Sequence, residues 1–147
     1  MTYNGLNQSQ SGFTATGLVN GETTSVLTGV TATGSGTNAG HYNVVATGTD
    51  SNYNLSFTPG ILAIAKADLT LSGTEIYNGT TTLAGSHLTA SGVHGETFTV
   101  TGSGATALST ANVQTGQALA NVSNLGLGTS SNGGLSTNYK ALTQQAV

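Results

Sequence analysis

Few residues of this chain carry groups that can do acid–base or metal chemistry. The 147 residues include two Lys or Arg, five Asp or Glu, three His and no Cys. A metal site needs several ligands that converge on one point, whereas His41, His87 and His94 are well separated and none pairs with a carboxylate at ligand spacing. We therefore expect no metal site. Because cysteine is absent, no disulfide and no thiolate ligand can form.

Other short segments resemble binding loops but lack the residues that complete them. Asp50 and Asn52 place two oxygen-bearing side chains two residues apart, but the glycine and distal glutamate of a calcium loop are missing. We expect a turn in which Asp50 caps its own backbone. The Gly-Ser-Gly segments 34–36 and 102–104 lack the Gly-Lys-Ser/Thr of a phosphate loop, and the Gly-x-Ser-x-Gly of a hydrolase is absent. The sequence predicts no catalytic, cofactor-binding or metal-binding residues and no enzymatic activity.

Composition favours an exported β-protein. Thr, Ser, Asn and Gly make up more than half of the chain, and only 5% of the residues are charged, against about 25% in an average soluble domain. Thr favours strands, and Asn and Gly favour turns. Hydrophobic residues at 36% and a single proline argue against disorder. Two basic residues and a net charge of −3 exclude nucleic-acid binding, and no apolar run is long enough for a membrane helix.

An internal repeat organises the chain. Three short motifs occur twice in the same order: Tyr3-Asn4-Gly5 and Tyr77-Asn78-Gly79, Gly21-Glu22-Thr23 and Gly95-Glu96-Thr97, and Ser51-Asn52-Tyr53 and Thr137-Asn138-Tyr139. The last pair has a larger offset than the first two, so the second copy contains extra residues, which we assign to a glycine-rich surface loop at 126–134. The repeat predicts two tandem modules, residues 1–66 without an opening strand and residues 67–147 with a truncated closing strand.

Alternation of apolar and polar residues predicts strands in both modules. The predicted strands are residues 12–16, 25–33, 42–47, 53–58 and 61–65 in the first module, and 69–72, 83–91, 97–102, 117–124 and 138–144 in the second. One helical turn is predicted near 109–113. In residues 61–72 the bulky side chains change from even to odd positions, so the buried face should switch near residues 66–68.

The ordered motifs carry a family resemblance. The first module, with Tyr3-Asn4-Gly5, the Gly17–Glu22 segment and Pro59-Gly60 before its last strand, resembles the MBG ("mostly β-grasp") repeat. The second, with Tyr77-Asn78-Gly79, is similar to the related YDG repeat, although Asn78 stands where that family usually has Asp. The resemblance implies an all-β or mostly β fold, two tandem β-grasp-like modules with little or no helix, from haemagglutinin-like adhesins of the bacterial cell surface. It implies no catalytic residues.

The leading hypothesis is a non-enzymatic spacer segment of a secreted or surface adhesin, with neighbouring repeats of the same chain as its partners. The alternative is a carbohydrate-binding or self-binding module in adhesion or biofilm formation, with glycans or other surface molecules as partners. Exposed aromatics clustered on one face would favour the alternative. The repeated tyrosines Tyr3, Tyr53, Tyr77 and Tyr139 are instead expected in the core. Thr-x-Thr pairs, such as Thr31 and Thr33, are expected to face solvent.

Overall fold

Antiparallel strands form the framework of two separate units. The computed structural model describes residues 1–104 and 107–147. The first unit consists of Met1 and Leu6–Ala65, and the second consists of Thr2–Gly5 and Lys66–Val147. The short segment Thr2–Gly5 therefore belongs to the second unit, although its chain neighbours on both sides belong to the first.

The first unit contains one four-stranded antiparallel sheet. Its strands are β1 (Gln8–Ser11), β2 (Val30–Gly36), β3 (Gly40–Gly48) and β4 (Gly60–Ile64), and they are ordered in the sheet as in the chain. In β2, Val30 and Ala32 are buried while Thr31 and Thr33 are exposed, so one face of the sheet carries the core. Leu27, Val44, Leu62 and Ile64 complete that core. Thr24–Val26 forms a 3-10 turn before β2.

The second unit is built around one central strand. Its strands are β5 (Thr70–Gly73), β6 (Leu83–Ala84), β7 (Leu88–Ser91), β8 (Thr97–Gly104) and β9 (Leu125–Ser131). β8 pairs with β6, β7 and β9, and β5 pairs with β7. Two 3-10 turns, Gly85–His87 and Ser136–Asn138, complete the regular structure. Phe98, Val100, Leu71 and Leu119 are among the buried core residues.

The predicted mostly β fold with little helix is confirmed. Strands β3, β4, β5 and β8 lie close to four of the predicted strands. The predicted strand 83–91 is interrupted by the 3-10 turn Gly85–His87, and its two parts, β6 and β7, both pair with β8. The predicted strand 25–33 begins late because its first residues lie in the 3-10 turn Thr24–Val26. The predicted helical turn at 109–113 is wrong, since those residues form bends and coil.

The predicted surface loop at 126–134 is also wrong, because most of it is strand β9, which pairs with β8. Glycine in this segment permits close packing. A Cβ atom at Gly128 would meet the hydroxyl of Thr99 and the methyl group of Thr101. The Thr99 hydroxyl in turn lies 3.2 Å from that of Thr129 on β9. Gly128 therefore provides the room that the β8 threonines need above the neighbouring strand.

Two further predicted strands of the first unit, 12–16 and 53–58, have no ladder partner and are not strands. Their alternation is nevertheless real, because Phe13, Ala15, Tyr53 and Leu55 are half-buried while their neighbours are exposed. These segments line a groove over the apolar face of the sheet. The alternating pattern therefore shows that one face of each segment is half-buried. A half-buried face does not require pairing with a neighbouring strand.

In the second unit, the predicted strands 117–124 and 138–144 are replaced by isolated bridges, between Ala118 and Ala146 and between Ala67 and Tyr139. Single bridges do not extend into a ladder here because the surrounding residues form turns and coil. The prediction of strands at 117–124 and 138–144 is therefore wrong.

The predicted switch of the buried face is confirmed. Leu62 and Ile64 are buried at even positions, and Leu69 and Leu71 are buried at odd positions. Ala65 and Lys66 are exposed in succession between the two sets, and the first unit ends and the second resumes between them. The change of face therefore coincides in sequence with the change of unit.

Candidate functional site

The candidate ligands named from the sequence are not brought together. His41, His87 and His94 are exposed, and among the described residues no group of three His, Asp or Glu side chains is placed to hold a metal ion. The structure adds one contact that the sequence did not indicate, from His87 Nδ1 to the carboxylate of Glu75. The Asp50 turn is confirmed, since the backbone N–H of Asn52 donates to Asp50 Oδ1 at 2.8 Å.

The second unit contains a buried carboxylate with a tyrosine on each oxygen. Glu96 is only 4% exposed. The hydroxyl of Tyr3 donates to Glu96 Oε1 at 2.5 Å, and that of Tyr139 donates to Oε2 at 2.8 Å. A buried carboxylate is costly unless it is hydrogen-bonded, and both oxygens of Glu96 are. We call Tyr3, Glu96 and Tyr139 the Glu96 cluster.

Local structure positions each member of the cluster. Glu96 follows a tight turn at His94 and Gly95, whose φ angles are 53° and 74°, and its backbone N–H donates to the carbonyl of Val93 at 3.0 Å. This places the carboxylate at the start of β8. The backbone carbonyl of Glu96 accepts from the N–H of Gly92 at 2.8 Å, which holds the residue from its other side.

Tyr139 is fixed from both ends. Its hydroxyl accepts a hydrogen bond from the backbone N–H of Val93 at 3.0 Å. Its ring meets those of Phe98 and Tyr3 edge to face, with centroids 5.3 Å and 5.5 Å away. A Cβ atom at Gly92 would collide with the Tyr139 hydroxyl, so the glycine leaves the space that this group occupies.

The phenols of Tyr3 and Tyr139 lose their protons less readily than an ordinary tyrosine does. Burial raises the pKa of Tyr3 and of Tyr139 above the ordinary value, and the hydrogen bond to the Glu96 carboxylate raises each pKa further. Both phenols therefore remain protonated donors at neutral pH. Since donors and acceptor are buried and bonded to one another, the arrangement is suited to holding three parts of the unit together.

The first unit contains a partial counterpart of this cluster, formed by the residues that the repeat aligns. The backbone N–H of Val19 donates to the Tyr53 hydroxyl at 3.2 Å, and that hydroxyl donates to Glu22 Oε2. The preceding turn, Asn20 and Gly21, has φ angles of 55° and 74°. The hydrogen bond to Glu22 raises the pKa of Tyr53. We call Val19, Glu22 and Tyr53 the Glu22 cluster.

The counterpart lacks a second tyrosine. Glu22 is exposed, and within residues 1–104 and 107–147 no group donates to its other oxygen, Oε1. In the second unit Tyr3 fills the equivalent place. The Glu22 cluster is therefore a Glu96 cluster without its third member.

The four repeated tyrosines differ in burial. The expected core position is confirmed for Tyr3 and Tyr139, which are 5% and 2% exposed. Tyr53 is half-buried. For Tyr77 the expectation is wrong, because this side chain is 64% exposed. The sequence shows that Tyr3 and Tyr77 are equivalent, but it contains no signal of which unit receives either side chain.

Aromatic side chains also line the groove of the first unit. Its volume is about 960 Å³, and Phe13, Tyr53 and Phe57 lie along it with Leu18 and Leu55. Thr31 and Thr33 lie outside it and face solvent as expected. The clustered aromatics were not anticipated from the sequence, because the segments that carry them were assigned to the sheet.

The comparison with known families identifies the first part of the chain. Residues 1–63 match the MBG domain of the YGX type. Over this range the chain is similar to an MBG domain. The match supports the resemblance inferred from the motifs, and the matched range includes Thr2–Gly5, which the structure places in the second unit. The similarity of the second module to the YDG repeat stays a prediction.

No curated protein and no solved structure matches the chain. In the part of the chain that the structure describes, none of the helical segments has the length and apolar character that crossing a membrane requires.

Proposed function

We propose that this chain is a non-enzymatic structural segment of a bacterial surface or secreted adhesin, in which it extends a binding region away from the cell. The observation that carries the proposal is the match to the MBG domain over residues 1–63, since MBG domains occur in extracellular surface proteins. The low charge and the high content of Thr, Ser, Asn and Gly agree with an exported β-protein.

The use that the structure makes of the repeated residues supports a structural role. In the second unit Tyr3, Glu96 and Tyr139 bond to one another in the interior, and the repeated Gly95 lies in the turn before Glu96. In the second unit, these recurring residues therefore contribute to folding. A spacer needs stably folded units, because each copy must keep its shape while other regions bind.

A surface-display experiment tests the spacer role. One, two or three copies of residues 1–147 are placed between a cell anchor and a terminal epitope, and the height of the epitope above the membrane is measured by fluorescence. We expect the height to rise in proportion to the number of copies, whereas the height on Gly/Ser linkers of equal residue number should rise only with the square root of that number, because they behave as flexible coils. A height that rises no more steeply with copy number than on the matched linkers would contradict the proposal.

The aromatic groove favours a second candidate function, the binding of a glycan. Sugar rings stack on aromatic faces, and Phe13, Tyr53 and Phe57 lie along one groove of the first unit. Titration with a panel of defined oligosaccharides, followed by NMR, tests this function. We expect Phe57→Ala to weaken any binding about tenfold or more and Val45→Ala, on β3, to leave it unchanged. Absence of binding, or equal binding by both variants, would reject this candidate.

A further inference from the structure

We propose that the Tyr77 segment, residues 76–79, of one copy of this chain docks on the Glu22 cluster of a second copy. In the resulting contact the Tyr77 hydroxyl donates to Glu22 Oε1, as Tyr3 donates to Glu96 in the second unit. The partner is thus a second copy of the same protein, recognised by a phenol that completes a tyrosine–carboxylate cluster.

The Tyr77 segment turns at its glycine as the packed Tyr3 segment does. Gly5 and Gly79 have φ angles of +80° and +74°, so the Tyr-Asn-Gly motif turns in a similar way at both places. The turn at Asn78 is held by its own side chain, whose Oδ1 accepts from the Thr80 N–H at 2.9 Å and from the Thr80 hydroxyl at 2.8 Å. A segment fixed before binding loses less conformational entropy when it docks.

The Tyr77 segment also exposes large apolar side chains to water. Ile76 is 87% exposed and Tyr77 is 64% exposed, whereas Tyr3 is 5% exposed in the second unit. A Cβ atom at Gly5 would touch the Cβ of His94, but one at Gly79 would meet only the Tyr77 hydroxyl. The same motif is therefore packed in one place and open in the other.

The Glu22 cluster supplies the matching surface. Val19, Glu22 and Tyr53 reproduce the contacts of Val93, Glu96 and Tyr139, and the turns before the two glutamates have the same positive φ angles. Asn20 stands where His94 packs against Gly5. Docking would place Gly79 against Asn20 and shield the Glu22 carboxylate from water. A phenol-to-carboxylate bond is then stronger than it is in water.

The symmetry of the contact determines the kind of assembly. Each copy has one Tyr77 segment and one Glu22 cluster, which are different surfaces, so the contact is heterologous. Repetition of it adds copies head to tail. With one charge-assisted hydrogen bond and two apolar side chains in each contact, we expect a dissociation constant of about 0.1–1 mM.

Analytical ultracentrifugation of the whole chain and of two variants tests the proposal. Tyr77→Ser removes the donor, and Glu22→Ala removes the acceptor. We expect the weight-average mass of the wild type to at least double at about 1 mM and each variant alone to remain monomeric. A mixture of the two variants retains one donor and one acceptor, so it should form a 1:1 dimer and nothing larger.

Control variants separate this docking from other effects. Asp68→Asn removes one negative charge from an exposed side chain outside both the Glu22 cluster and the Tyr77 segment and should associate like the wild type. Both test residues are exposed, and circular dichroism confirms that the variants keep the fold. A monomeric wild type at about 1 mM, variants that associate as the wild type does, or a mixture without heterodimer would each overturn the proposal. Docking of Tyr77 on Glu22 of its own chain would leave the wild type monomeric, which is the first of these results.

The inference does not depend on the spacer role. The display experiment measures the height of an epitope on a cell, and sedimentation measures association between free chains. Either result can fail while the other holds.

Discussion

Glu96→Ala should lower the free energy of unfolding of the second unit by about 3 kcal/mol or more, because each of two buried phenols loses a charged acceptor. The hydroxyls of Tyr3 and Tyr139 both donate to this carboxylate, and Glu96 is only 4% exposed. An unpaired buried donor costs the free energy of its desolvation. Urea unfolding followed by NMR signals from strand β8 measures the change.

Glu22→Ala is the matched control. It removes the aligned carboxylate of the first unit, which is exposed. The unfolding midpoint of the first unit should therefore stay almost unchanged. A triple variant, Tyr3→Phe, Glu96→Leu and Tyr139→Phe, removes both phenols and the carboxylate and should recover part of the loss, since no phenol remains unpaired. The recovery is partial because the N–H of Val93 and the side chain of Asn138 lose their bonds to the two hydroxyls. Equal unfolding midpoints for Glu96→Ala and Glu22→Ala would show that the Glu96 cluster contributes little to stability.

Tyr3→Ala should lower the free energy of unfolding of the second unit by about 3–5 kcal/mol, the usual range for truncating a buried aromatic side chain. The ring packs edge to face on Tyr139, and its hydroxyl bonds to Glu96. The effect should appear in residues far away in sequence, because Tyr3 belongs to the second unit. Hydrogen exchange of the β8 and β9 amides, compared between variant and wild type, detects it.

Tyr77→Ala tests the same substitution at the aligned position. Tyr77 is 64% exposed, so dilute samples of this variant should keep the wild-type exchange rates in β8 and β9. Tyr3→Phe, which keeps the ring and loses the hydroxyl, should fall between wild type and Tyr3→Ala. Faster exchange confined to the first unit in Tyr3→Ala would contradict the placement of this side chain.

The sequence identifies the residues of the Glu96 cluster but not the contacts that they make. The repeat singled out Tyr3, Glu96 and Tyr139 as positions that matter. It aligned Tyr3 with the first module, as chain order suggests, but the structure places Tyr3 in the second unit. A repeat shows which residues are equivalent. The contacts of an equivalent residue depend on which surface lies within its reach, and chain order does not reveal that.

Strand prediction succeeded where local pattern and strand pairing coincide. β3 and β8 alternate and have neighbours on both sides, so the pattern found them. The residues around Phe13 and Tyr53 alternate without a ladder partner because they cover a groove. The glycines of β9 predict a surface loop from the sequence, whereas in the structure Gly128 makes room for the hydroxyl of Thr99. The sequence alone does not distinguish these two uses of glycine.

The most direct test of the Glu96 cluster is a nuclear Overhauser measurement between the rings of Tyr3 and Tyr139 in the intact chain at low concentration. With ring centroids 5.5 Å apart, we predict strong cross-peaks between their ring protons, and none between Tyr77 and Tyr139. If Tyr3 shows no cross-peak to Tyr139 in a folded sample, the tyrosine is not part of the second unit and the account of the Glu96 cluster is wrong.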